Sequence, residues 1–223
     1  RRPALSISPE DGLVFSTTLR ERWRSGASAP SPSAVAALSG FKSLDLPGFA
    51  HHVLAIRAAG GIAGDRNPSR FSAGGVSGSS VAIVSGYDIG GQRRTFGVRG
   101  YPVGAESGIR AAAGTIEYRA PLFAPSRGFR YLPLFIDKVS ALAFGEAGRA
   151  YCPAAAASGA GACLPSDVGN PWMSSVGAEL DIDTGIQLDY AARVRIGIAI
   201  PTVNRQELRA PSSLVYATFG TSF

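Results

Sequence analysis

The sequence lacks the long apolar run that a transmembrane helix requires. No window offers the roughly 18 consecutive apolar residues of such a helix, so any membrane span would have to consist of strands. Charged residues are also scarce, at 17% of the chain against roughly 25% in an ordinary soluble domain. By contrast, 28 glycines and 15 prolines indicate many turns and few long helices. We therefore predict an all-β chain.

The sequence also has little that points to catalysis, metal binding or nucleic acid. Its 22 lysines and arginines are scattered without a run of five, which argues against a nucleic-acid partner. No Ser/His/Asp arrangement suggests a nucleophile, and the paired carboxylates Asp181 and Asp183 are interpreted as flanking an exposed turn. We expect no enzymatic activity, no bound metal and no cofactor.

The two cysteines, Cys152 and Cys163, lie within one predicted loop that is rich in alanine and glycine. No histidine or third cysteine accompanies them, so a metal site is not expected, and a disulfide is favoured. Such a bond requires an oxidising compartment, for example the periplasm or the cell exterior.

Alternation of polar and apolar residues predicts long strands. The clearest case is 186–200, where isoleucine, leucine, tyrosine and valine residues share one face. A strand of about 15 residues exceeds the usual 5 to 6 of a globular strand, and it suits a tilted strand that crosses a bilayer. We predict about eight strands, at 13–23, 50–63, 69–76, 108–122, 134–150, 172–183, 185–200 and 213–223.

The predicted connectors alternate between long and short. Long segments lie near 24–49, 77–107 and 151–171, whereas short turns are predicted at 64–68 and 183–185. Long loops at one rim and short turns at the other are typical of outer-membrane barrels. The pattern favours an antiparallel transmembrane β-barrel, and a secreted antiparallel sandwich is the alternative that it leaves open.

One motif in the glycine-rich segment resembles a known family. Val98, Arg99, Gly100 and Tyr101 match the Val-Arg-Gly-aromatic motif of the bacterial surface antigen barrel. This barrel belongs to the outer-membrane assembly-factor superfamily, which includes the BamA, TamA and two-partner-secretion translocator types. The resemblance implies that the motif lies at the tip of an external loop that folds back into the barrel lumen.

A second motif supplies the partner that the resemblance implies for this loop. In the family, the arginine pairs with the acidic residue of a Phe-x-Asp-x-Gly motif on the inner wall. Phe144, Glu146 and Gly148 occupy the corresponding positions, so a glutamate replaces the usual aspartate. The extra methylene of Glu146 leaves an ion pair with Arg99 feasible.

The end of the sequence resembles the carboxy-terminal recognition signal of outer-membrane barrels, with marks at Val215, Phe219, Gly220 and Phe223. The resemblance extends over nearly the whole chain and corresponds to the second half of a sixteen-stranded barrel. We therefore expect residues 1–223 to be a single C-terminal barrel region, without the N-terminal barrel half and the periplasmic domains.

The resemblance implies a place in the outer membrane of a Gram-negative bacterium and a role in protein insertion or translocation. The partners would be outer-membrane lipid, client outer-membrane or secreted proteins, and lipoprotein accessory subunits. Clients would be handled through the luminal loop and through a weak seam between the first and last strands. The alternatives are a passive pore, a barrel anchor for a fused domain, and a secreted β-sandwich binding module.

Overall fold

A computed structural model describes residues 6–23, 30–64, 70–76, 94–128, 134–156, 163–186 and 190–221. These residues form strands and two short 3-10 helices, and no α-helix occurs among them. Within the same ranges, no helix is long and apolar enough to cross a membrane. The prediction of an all-β chain is confirmed.

The described strands form one large antiparallel sheet and one small sheet. In the large sheet the order is β1-β2-β3-β7-β9-β10-β11-β12, with the short β8 paired to β9, and the small sheet has the order β5-β4-β6. No pairing joins β1 to β12 in the described part of the chain, so the sheet is not closed into a barrel there. The strands are β1 (Gly12–Arg22), β2 (Ser31–Leu44), β3 (His52–Ala63), β4 (Phe71–Ala73), β5 (Arg94–Phe96), β6 (Glu106–Gly108), β7 (Arg110–Phe123), β8 (Arg127–Gly128), β9 (Leu134–Tyr151), β10 (Met173–Ile186), β11 (Tyr190–Pro201) and β12 (Leu214–Thr221).

Two of the strand predictions are wrong. Residues 31–44, interpreted above as part of a long connector, form β2 and pair with both β1 and β3. Their alanines, serines and glycine are too small to produce a strong apolar alternation, although they fit a sheet well. Conversely, the predicted strand 69–76 contributes Phe71–Ala73 to the small sheet instead of a strand to the large one.

The predicted turn at 183–185 is also wrong, because these residues belong to β10. Asp183 pairs with Arg193 of β11, and its carboxylate accepts a 2.6 Å hydrogen bond from the Arg193 Nε. The Thr184 hydroxyl donates to the Ala192 carbonyl oxygen. The connection between β10 and β11 falls at 187–189, outside the described residues. Asp181 and Asp183 are therefore buried residues of the large sheet, which we also call the wall, and they do not flank an exposed turn.

One face of the large sheet is apolar and exposed. Residues that are directly paired from β1 to β11 form a transverse row on this face, and its aliphatic side chains are 45–72% exposed. Exposed Ile196, Ile198, Val215 and Phe219 extend the same face over β11 and β12. We call it the apolar face. The transverse row consists of Leu13, Gly40, Ile56, Ile116, Gly145, Val176 and Ile200.

The opposite face carries the charges, and we call it the charged face. Its acidic side chains are buried, and the arginines beside them are partly or fully covered. The members that matter below are Arg57, Glu117, Arg119, Glu146, Glu179, Asp181, Asp183, Arg193 and Arg195. Because side chains alternate along a strand, this division of polarity follows directly from the period-two sequence pattern.

The connection from β3 to β7 covers the charged face. It spans 64–109 and contains the small sheet, which contacts β7 and β9. Phe71, Phe96, Val98 and Tyr101 of this connection form an apolar cluster with Ala111, Ala150 and Met173 of the wall. The connections β1–β2, β3–β7, β9–β10 and β11–β12 all lie at the same end of the strands. The long connections at 64–109 and 152–172 are among them.

Candidate functional site

The motif at 98–101 docks onto the charged face with each of its four residues. Val98 is fully buried and lies over Gly148 of β9. A Cβ at position 148 would stand 2.6 Å from the Val98 Cγ2, closer than real Cβ contacts. The glycine of the wall motif is therefore the space into which the valine of the loop motif packs.

Arg99 and Glu146 form a three-point contact inside this interface. The backbone N–H of Arg99 donates to Glu146 Oε2 at 2.7 Å, and its Nε donates to Oε1 at 2.7 Å. Nη2 lies 2.5 Å from the same Oε1. Arg99 is 3% and Glu146 6% exposed, so the pair is shielded from water. Burial lowers the pKa of Arg99, but the Glu146 carboxylate, together with Glu117, more than offsets this effect and raises that pKa, which keeps the guanidinium charged.

The guanidinium of Arg99 also reaches carboxylates on two other strands. Its Nη1 donates to Glu179 Oε2 of β10 at 3.1 Å, and its Nη2 donates to Glu117 Oε1 of β7 at 3.1 Å. A planar fork with five donors can satisfy three acceptors in this way, which a lysine ammonium cannot reproduce with the same geometry. Arg99 therefore joins three wall strands.

Other arginines balance two of these three carboxylates. Arg57 and Arg119 contact Glu117 at 3.7 and 2.5 Å, and Arg195 lies 3.9 Å from Glu179. Within the described ranges, no cation besides Arg99 pairs with Glu146. The charge of Glu146 thus depends on the loop, whereas Glu117 has other partners.

Phe144 completes the binding surface for the guanidinium. The Arg99 Cζ lies 3.5 Å from the centre of the Phe144 ring, a cation–π arrangement in a desolvated site. The ring reaches this position by lying across Gly177, its paired residue on β10. A Cβ at position 177 would overlap both the ring and the Ile198 carbonyl oxygen of β11, so only glycine leaves room here for the aromatic residue of the neighbouring strand.

Gly100 and Tyr101 fix the far side of the turn. Gly100 has φ of +91°, which side chains disfavour, and a Cβ there would also press on Pro201 at 3.1 Å. The Tyr101 side chain is 1% exposed, and its hydroxyl lies 2.9 Å from the Ser174 carbonyl oxygen and close to that of Val203. Both residues therefore bind the β10–β11 end of the wall.

A second set of contacts, which the sequence did not indicate, ties Tyr216 of β12 to this site. Its hydroxyl donates to Glu179 Oε2 at 2.5 Å. Glu117, Glu179 and Tyr216 are isolated residues in their strands and belong to no motif. The one signal that could have found Glu117 and Glu179 is that each lies on the charged face of a strand next to β9, which carries the wall motif. Tyr216 lies on β12 and is separated from β10 by β11.

A disulfide within the β9–β10 connection and an ion pair between this connection and the β3–β7 connection hold the two together. Cys152 and Cys163 are bonded to each other, and both are buried. Close to them, Asp167 forms an ion pair with Arg70, which also donates to the Ser107 hydroxyl at 2.7 Å. These contacts fasten the β9–β10 connection to the small sheet.

Glu106 of the small sheet is a buried carboxylate with an incomplete set of partners. Its Oε2 accepts a 2.9 Å hydrogen bond from the Ala150 N–H, while its Oε1 has no hydrogen-bond partner among the described residues. Burial raises the pKa of Glu106 to about 7, and the Ala150 hydrogen bond and nearby Arg149 only partly oppose this effect.

The predicted terminal signal lies at the free edge of the sheet. Val215 and Phe219 are exposed on the apolar face, at 71% and 53%. Gly220 pairs with Arg193 of β11, and Phe223 lies outside the described residues. In the described ranges, no group of three or more His, Cys, Asp or Glu residues is placed to hold a metal ion.

The chain finds no match among protein-family models, curated proteins or solved structures.

Proposed function

We propose that this chain is the C-terminal region of an outer-membrane β-barrel that inserts or translocates other proteins, of the bacterial surface antigen type. One observation carries the proposal. The Val98–Tyr101 motif docks onto the charged face through Arg99 and Glu146, while the opposite face is apolar and exposed. An internal loop held by charge, behind a wall with an apolar exterior, is the arrangement that such a barrel requires.

The distribution of polarity supports a lipid environment for the apolar face. Soluble monomers rarely expose contiguous apolar patches larger than a few hundred Å². Here an apolar row extends from Leu13 on β1 to Ile200 on β11, with its aliphatic side chains about half exposed or more. A secreted sandwich would bury this face against a second sheet and turn the charged face to water. The observed covering of the charged face is the reverse, which disfavours the sandwich.

Two features favour handling of polypeptides over a passive pore. The described part of the β3–β7 connection covers the charged face, and the four residues Val98–Tyr101 fix it there. In addition, β12 has a single strand neighbour, β11, among the described residues. An unpaired strand edge can accept an extended segment of another chain by β-augmentation. We propose that clients engage the wall there.

Reconstitution of the natural full-length protein tests this proposal. Liposomes that contain it should speed the folding of an added, urea-unfolded outer-membrane barrel, measured by heat-modifiable gel migration. Empty liposomes give the background rate. Ion conductance without any acceleration of client folding or client passage would instead support the passive pore. Recovery of the protein in the aqueous phase after detergent partitioning would refute both membrane functions.

A further inference from the structure

A single oxygen atom connects the docked loop to the last strand of the sheet. Glu179 Oε2 accepts a hydrogen bond from Arg99 Nη1 at 3.1 Å and another from the Tyr216 hydroxyl at 2.5 Å. Arg99 belongs to the connection that covers the charged face, and Tyr216 belongs to β12. Both donors bind a carboxylate that is buried on β10. Hydrogen bonds to an ionised acceptor are about twice as strong as those between neutral groups.

The link to β12 depends on a glycine in the strand between. Gly197 of β11 pairs with Glu179 on one side and with Tyr216 on the other. A Cβ at position 197 would stand 2.6 Å from the Tyr216 hydroxyl and 2.7 Å from its Cζ, so any other residue would displace the ring. Through this gap, Tyr216 reaches across β11 and binds β10 directly.

This link adds to an otherwise one-sided attachment of β12. The strand has eight residues and pairs with β11 along one edge. In the described part of the sheet, no strand lies on its other side. The hydrogen bond from Tyr216 to Glu179 holds β12 on the charged face, and it uses the same acceptor oxygen as Arg99 of the loop tip.

Withdrawal of Arg99 would change this anchor. Glu179 would keep only its longer contact with Arg195, and weaker pairing of a buried carboxylate is costly. Glu179 would turn toward Arg195, whose Nη1 is 3.9 Å from its other oxygen, or toward water that enters the vacated site. In either case Oε2 is no longer fixed as the acceptor for Tyr216.

We propose that Arg99, Glu179 and Tyr216 couple the docking of the loop to the attachment of β12, so that release of either loosens the other. Tyr216 and Gly197 are positioning residues in this scheme. The proposal deepens the proposed function, on which it rests only for the meaning of β12 as one side of the client seam. Because coupling between two sites is reciprocal, it can be measured in both directions.

Hydrogen exchange on the full-length protein in detergent micelles tests the coupling. Tyr216→Phe keeps the ring over Gly197 and removes only the hydroxyl. We expect amide exchange at 97–103 to rise about fivefold, the lower end of typical coupling. Arg99→Gln should raise exchange at 214–221 by a similar factor, and the double variant should add little to the larger single effect.

Two controls separate coupling from general loosening. Asp183→Asn removes a charged partner of Arg193 on the same strand as Glu179 but does not contact the loop tip, so exchange at 97–103 should stay unchanged. Amides of β1, at the opposite edge of the sheet, should also stay unchanged in all variants. If Tyr216→Phe accelerates exchange in β12 alone, with 97–103 as in the parent, the coupling is refuted, even where Arg99→Gln fails to fold. Client insertion is not part of this readout, so the outcome is independent of the proposed function.

Discussion

Replacement of Arg99 by methionine should undock the loop and lower the free energy of unfolding, mainly because the buried Glu146 carboxylate loses its cation. Methionine keeps much of the apolar stem but removes all five guanidinium donors. Glu117 retains Arg57 and Arg119, whereas Glu146 has no other cation among the described residues. Removing one partner of a buried pair typically costs about 3 to 5 kcal/mol, and we expect Arg99→Met in that range.

A double-mutant cycle isolates the free-energy cost of leaving Glu146 unpaired. Glu146→Gln removes the carboxylate charge that Arg99→Met would leave unpaired. The loss of stability caused by Arg99→Met should therefore be smaller in the Glu146→Gln background by about 2 kcal/mol. Urea unfolding of the folded protein in detergent gives the free energies. Chymotrypsin cleavage after Phe96, which is 6% exposed, reports on the loop itself.

The matched control is Arg193→Met, which breaks the ion pair with Asp183 on the same wall but does not touch the loop. It should lower stability without exposing Phe96 to chymotrypsin. Strictly additive effects of Arg99→Met and Glu146→Gln, or continued protection of the bond after Phe96 in Arg99→Met, would refute the reasoning.

Three further results are expected. The folded state holds the Glu106 proton more tightly than the unfolded chain, because its pKa is raised from 4.5 to about 7, so stability should fall as pH rises through this interval. Glu106→Gln should flatten the pH dependence of the urea midpoint, and an unaltered slope would contradict the assignment. Cys152→Ser should cost about 2 to 3 kcal/mol and abolish the effect of dithiothreitol on the midpoint, whereas a persisting effect would contradict this. Gly177→Ala should cost about 1 to 3 kcal/mol, because its Cβ would overlap the Ile198 carbonyl oxygen and the Phe144 ring. Gly145→Ala, with open space around its Cβ, should be nearly neutral in the same unfolding assay, and equal costs would count against the packing argument.

The sequence predicted those strands whose residues on the apolar face are large and apolar. Ile56, Ile116 and Val176 mark the outward face of β3, β7 and β10, and their period-two spacing is visible without any structure. The pattern failed for β2, since small residues such as Ala34 and Ala36 occupy its outward positions. It also failed at Asp183, because an acidic residue followed by Thr and Gly is typical of a turn, whereas here Arg193 satisfies the carboxylate inside the sheet.

At the site, the sequence predicted the two motifs and not the residues that join them. Arg99 and Glu146 belong to local patterns, so both could be named in advance. Glu117 and Glu179 meet Arg99, and Tyr216 meets Glu179, only because the five strands β7, β9, β10, β11 and β12 align in a particular register. Register between distant strands depends on pairing along the whole sheet, and local composition does not encode it.

Lipid contact of the apolar face is the central claim, and quenching of a fluorophore by brominated lipid tests it most directly. Single cysteines at Ile116 or Ile196 of the apolar face, and at Thr115 or Thr218 facing the opposite way, can be labelled without reduction of the native disulfide. In liposomes that contain the full-length protein, we predict strong quenching by bromine in the acyl chains at positions 116 and 196, and weak quenching at 115 and 218. Equal quenching by aqueous iodide at all four positions would contradict a membrane-spanning wall.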